Sequence, residues 1–326
     1  MKFRLTLLRM AGLAAMAAFL ASCGGGTSNG LVAFVPARIL VFGDQASVIT
    51  AEGNKYTINA VNADGGIDCV SHPIWTQVLA SSYGLVFPEC PGTSATTAPT
   101  SRILALAGAT AGGSGEIDLA GQVTRQLELP ADAGGGISSN DMVTVFIGVN
   151  DIVAAFEQFE SGAISEAQTT ALAEQAGVAI ATQVNRIANA GGKVIVSTVP
   201  DVSLTPYGRS KGIVGMSRLT YLTARVNGKL LVTIDNDGRK IGLIELNPYL
   251  ISVVGNPAGY GYVNARDAAC VPPITLNCTT ATLQQNPDGT SAGPFTWLWA
   301  SELQLSPGGH GQLGSLASTR AHNQPF

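Results

Sequence analysis

Positive charge is scarce: 18 Lys and Arg stand against 22 Asp and Glu in 326 residues, so nothing in the balance would hold a phosphate backbone, and nucleic acid is excluded as the expected partner. Charged residues of both signs make up only 12%. Histidine occurs three times, at 72, 310 and 322, and no two of the five cysteines form a Cys-x-x-Cys pair, so neither a metal site nor a cofactor is expected. After residue 21 no apolar run reaches the roughly 20 residues of a membrane-spanning helix. Solenoid-type repeats are missing, and so is any linker long enough to separate two domains. What is abundant is apolar side chain, at 46%, which excludes a disordered, collagen-like or coiled-coil chain. The 39 glycines imply many tight turns and close backbone approaches.

Residues 1–9 carry Lys2, Arg4 and Arg9, and the uncharged run 10–21 follows, which is the pattern of a secretory leader. The run ends in Leu20-Ala21-Ser22-Cys23, which resembles a bacterial lipobox. That resemblance implies cleavage after a leader 1–22, a lipidated tether 23–31 beginning at acylated Cys23, and a folded domain 32–326. Gly24 in place of an aspartate implies the outer membrane of the envelope, with the N-terminal lipid as the sole membrane contact. Loss of the leader removes three positive charges and leaves an acidic chain. Of the four remaining cysteines, the close pair Cys270 and Cys278 suggests Cys69 with Cys90 as the second disulfide, although sequence alone leaves the connectivity open.

Five apolar runs, 38–42, 102–107, 142–147, 193–197 and 241–246, recur between helical or loop segments. They are rich in Val, Ile and Leu without strict alternation, as strands buried on both faces of a parallel sheet are. One helix is expected to start at Ser165 and run to Ala190, stopped by Gly191-Gly192, with Leu172, Ala176, Ala179, Ile180, Val184 and Ile187 at spacings of three and four. A second is expected over about 215–230. Residues 91–101 and 279–294, the latter with the turn Asn286-Pro287-Asp288-Gly289, read as surface loops. The fold class is therefore α/β, with right-handed crossovers and helices on both faces of a mostly parallel sheet.

The chemistry concentrates in four short blocks. Gly43-Asp44-Gln45-Ala46-Ser47 follows the first strand, Leu106-Ala107-Gly108-Ala109-Thr110 the second and Gly148-Val149-Asn150-Asp151 the third, and Leu305-Ser306-Pro307-Gly308-Gly309-His310 lies near the C-terminus. In that order and at those distances they resemble the blocks of the SGNH/GDSL hydrolases. Val199-Pro200-Asp201, Asn256-Pro257, Gly259-Tyr260-Gly261-Tyr262-Val263-Asn264 and Cys270 are similar to the secreted and autotransporter-type esterases of that family. The resemblance implies a flavodoxin-like three-layer sandwich with a five-stranded sheet. It also implies an ester-cleaving Ser-His-Asp triad and an oxyanion hole, for which Gly108 and Asn150 match. The triad does not match: Gln45 stands at the nucleophile, Gln304 at the histidine and Ser301 at the aspartate. A carboxamide neither attacks an ester as an alkoxide nor accepts a proton near neutral pH.

His310 is the natural substitute base, but Ser306 reads as an N-cap and Pro307 as the first helical residue, which places His310 a turn away from residue 304. Ser47 reads as a helix-initiating or solvated serine, and Asp44 as a carboxylate that holds its turn. Gly108 fits either a hole donor or a close strand–helix approach, and Trp297 and Trp299 either core packing or the lining of a carbohydrate or acyl cleft. His72 and His322 read as surface or turn residues. The expectation is a non-catalytic, lipid-anchored binder of a small-molecule, glycan or acyl ligand in a cleft of Asp44, Gln45, Gly108, Asn150 and Gln304. The rival is a working esterase that uses other residues.

Overall fold

The computed structural model describes residues 33–92, 99–272, 276–286 and 289–326. The chain divides into a unit ending at Ala33 and a unit Phe34–Phe326, and the second is the subject here. The leader 1–22 and the tether 23–31 with Cys23 lie outside the described residues, as do 93–98 in the first expected loop and Pro287 and Asp288 in the expected turn.

Strands β1 (Arg38–Gly43), β2 (Arg102–Ile103), β3 (Asp141–Phe146), β4 (Lys193–Ser197) and β5 (Ile241–Ile244) form one sheet in the order β2-β1-β3-β4-β5. Every neighbouring pair is parallel, and the order is that of flavodoxin-like folds. Strands β1, β3, β4 and β5 feed two cores, one on each face of the sheet. Leu40, Phe42, Val143, Val145, Val194 and Val196 face one side, while Ile39, Val41, Met142, Phe146, Ile195 and Ile244 face the other. This double burial is why the runs read as continuously apolar.

The helices are α1 (Trp75–Ser81), α2 (Leu119–Glu128), α3 (Val149–Glu160), α4 (Glu166–Asn189), α5 (Gly212–Thr233), α6 (Leu246–Gly255) and α7 (Pro307–Asn323). Helices α2 to α5 pack on the first core and α1, α6 and α7 on the second, completing three layers. Helix α4 begins where its capping box predicts, with Ser165 Oγ accepting from Gln168 N and the Gln168 side chain accepting from Ser165 N. Its contact with α5 is close because Gly177 carries no side chain: a Cβ there would stand 2.2 Å from Val226 O. Helix α5 extends beyond the expected span at both ends. Strand β2 is shorter than the run 102–107, although Leu104 N and Leu106 N beyond it still donate to Val41 O and Gly43 O.

Cys69 pairs with Cys90 and Cys270 with Cys278. The second bridge sits in a satellite core with Ile58, Leu283, Ala292 and Trp297, and the first fastens the loop preceding α1. Cross-linking positions 21 residues apart restricts the unfolded chain by about 3 kcal/mol. The Cys69→Ser/Cys90→Ser double variant is therefore expected to lose about that much stability in urea titrations, and an unchanged midpoint would contradict the argument.

Candidate active-site cleft

Ligand sites in sheets of this topology lie beyond the carboxyl ends of the strands, where the order reverses beside β1. Here that point is shaped by Gly43. Its φ is +144°, and a Cβ would meet Phe146 O at 2.1 Å, so only glycine lets β1 turn while still paired with β3. Gln122 of α2 grips the same residue: Gly43 N donates to Gln122 Oε1 at 3.0 Å, and Gln122 Nε2 donates to Gly43 O at 2.8 Å. Asp44 then caps a single 3-10 turn, Gln45–Ser47, by accepting from Ala46 N at 3.0 Å.

The neighbouring loop is fixed from β3. Asp151, in the first turn of α3, accepts from Ala111 N and Gly112 N at 2.8 Å each, and so pins residues 107–112 against that helix. Gly108, with φ +79°, points its N–H at Gln45. The Gln45 carbonyl oxygen accepts from Gly108 N at 3.1 Å and from Asn150 Nδ2 at 3.0 Å. Gln45 Nε2 donates back to Asn150 Oδ1 at 2.9 Å. The second N–H of Asn150 is spent on Ala109 O at 2.8 Å. The two donors that match an oxyanion hole thus both hold the side-chain carbonyl of the residue at the nucleophile position.

The far wall is a hairpin between the short strand Trp297–Trp299 and α7. Ala300 N and Ser301 N both donate to Gln304 O, and Thr57 Oγ1 fixes the strand behind them by donating to Leu305 O at 2.8 Å. Gln45, Gly108, Asn150, Ser301 and Gln304 line one open cleft of about 320 Å³. The Gln304 side chain is 6% exposed, and its carboxamide bonds to none of the described residues; Ser301 Oγ is buried and likewise without a partner among them. Behind the cleft, a pocket of about 20 Å³ is lined by Asp44, Gln304 and Trp299. Burial, reinforced by the charge of Asp151 and opposed by the Ala46 N–H, pushes the Asp44 carboxyl up to about 7.

His310 lies one turn into α7, after the Ser306 cap and Pro307, and is fully buried. Its Nδ1 accepts from Trp75 N at 3.4 Å and its Nε2 has no partner among the described residues. Burial and the nearby Lys55 charge hold it at about 3, so it is neutral near pH 7. Ser47 is also fully buried, accepting from Trp75 Nε1 at 3.0 Å, and ends the 3-10 turn, so it neither starts a helix nor faces solvent. His72 lies at a bend, in keeping with one of its two readings, surface or turn, but is buried, with Nδ1 against Ile58 O at 2.9 Å. His322 is exposed and stacks on Tyr83. Trp297 and Trp299 both pack in cores, and Trp299 also closes the small pocket.

Tyr56 and Glu302 line the cleft as well and carried no motif. Glu302 lies between Ser301 and Gln304, in a stretch that matches no motif. Gln122 and Asp151 act from beneath, and only their contacts reveal it.

Residues 39–288 match the family model described as GDSL-like Lipase/Acylhydrolase. Among solved structures, TesA aligns at 15% identity over 87% of this chain and 97% of its own, with a TM-score of 0.34. The YxiM protein of Bacillus subtilis aligns at 16% identity over 88% of this chain and 56% of its own, with a TM-score of 0.37. No curated protein matches the chain.

Because the folded-state value of Asp44 is raised from 3.8 to about 7, its proton favours the folded state. That contribution is complete below pH 3.8 and is lost as pH rises through 7. The Asp44→Asn side chain stays neutral throughout. The melting temperature of this variant is expected to gain on the parent's between pH 4 and 7.5, and a difference independent of pH would refute the assignment.

Proposed function

The chain belongs to the GDSL-like lipase/acylhydrolase family, and from that premise we propose that it keeps the fold without the reaction, as an envelope lipoprotein held by acylated Cys23 that binds an uncharged glycan, acyl or other envelope ligand in its cleft. The observation that carries this reading is the Gln45 carbonyl seated on Gly108 N and Asn150 Nδ2. Acyl transfer needs those donors for the developing oxyanion; here an amide of the protein itself uses them. Three further facts support the reading. Gln45 offers no activatable hydroxyl, Gln304 accepts no proton near neutral pH, and Ser301 cannot stabilise an imidazolium. The residues that could substitute, Ser47 and His310, are both closed off from solvent. Glu302 is the charged side chain among the residues lining the cleft, which disfavours an anionic ligand.

The wild-type chain is expected to leave short-chain p-nitrophenyl esters at the background rate and to resist fluorophosphonate labelling. Turnover abolished by Gln45→Ala or His310→Ala would overturn the proposal in favour of an esterase with substituted catalytic residues. The triple variant Gln45→Ser, Ser301→Asp, Gln304→His is expected to gain both activities, because the shorter serine vacates the hole as it supplies the hydroxyl.

A further inference from the structure

Gln45 and Asn150 exchange two hydrogen bonds, one in each direction. Such a closed pair requires each amide to use the N–H on the same side as its own carbonyl oxygen. Asn150 cannot reverse its roles: its other N–H is bound to Ala109 O, so Nδ2 stays a donor and Oδ1 stays an acceptor. With Gly108 N as a second donor, the site offers two donors to one oxygen and one acceptor to an adjacent N–H.

That set distinguishes acyl compounds sharply. A primary carboxamide satisfies all three groups. An ester or a carboxylate has no N–H for Asn150 Oδ1, and an ordinary trans secondary amide carries its N–H on the side away from the oxygen. Either leaves the Asn150 acceptor unpaired, and a site built to bond an N–H rejects analogues that lack it. Glu302 further disfavours anions at the cleft.

We propose that this site is a receptor for a primary carboxamide and that the Gln45 side chain is its built-in competitor, displaced when a ligand bearing such a group enters. The inference rests on the binding role proposed above. Gln45 is only half-buried and sits on a single turn, and its side chain is held by those three bonds alone before an open cleft of about 320 Å³. An incoming amide restores the same three bonds, so displacement is close to balanced. Net affinity then comes from the remainder of the cleft, where Gln304 lines the wall and its carboxamide has no partner among the described residues. The chemistry fits two sources, a free amide metabolite or an amidated peptide.

The test uses Gln45→Ala, in which acetamide replaces the atoms removed. In 15N-labelled protein, the Gly108 amide resonance of this variant is expected to shift saturably with acetamide. N-methylacetamide, methyl acetate and acetate should bind at least tenfold more weakly, and wild type should bind acetamide more weakly than the variant does. Glutamine and a C-terminally amidated dipeptide, compared on both proteins, separate the two sources. Equal shifts with the ester or the secondary amide, or no shift in a variant whose melting curve shows it folded, would overturn the proposal. Ester turnover by wild type would instead strike the non-catalytic reading, and the resonance shifts are read independently of it.

Discussion

A carbonyl oxygen with no room around it governs this architecture. Phe146 O lies where a side chain at position 43 would have to go, so β1 can stay paired with β3 to its last residue only if that residue is glycine. Everything that follows in the chain is aimed by that turn. Asp44 is buried behind the cleft and Gln45 lines it, within reach of a loop 63 residues away and a helix start 105 residues away. The Gln122 carboxamide, bonded to both backbone groups of Gly43, makes the turn part of the α2 layer, so the site is set by the packing of the sheet and not by a free loop.

Burial also moves the ionisable groups of this neighbourhood away from their ordinary values. His310 is held near 3 and so is neutral, and the Asp44 carboxyl is raised to about 7. Lys55, fully buried with its ammonium on Cys69 O and His72 O, is lowered to about 8. Each shift has desolvation as its largest cause. Groups that act in acid–base chemistry when they face a cleft are here enclosed behind one.

How much of this was legible in the residues follows from where each determinant sits. Strand runs buried on both faces are continuous in sequence, so the sheet could be read, and the apolar residues from Leu172 to Ile187 at spacings of three and four announced α4. Block spacing brought Gln45, Gly108, Asn150, Ser301 and Gln304 into one list, and the fold gathers them around one cleft. The direction of the Gln45 carboxamide could not be read, because its rotamer is chosen by donors from two distant loops. Tyr56 belongs to no motif. The burial of His72 depends on the folding of 50–59 over it, and that of Ser47 on an indole contributed by α1. The shortened β2 reflects its place at the sheet edge, which the apolar run 102–107 does not encode.

The bonds between Gln45, Gly108 and Asn150 couple the site to the rest of the fold. Replacing Asn150 would strand the half-buried Gln45 amide, and a side chain at position 108 would keep the N–H but strain a φ of +79°. A serine at residue 45 alone would discard three interactions at once. The groups that line the cleft therefore also brace it, so its outline and the stability of the chain change together.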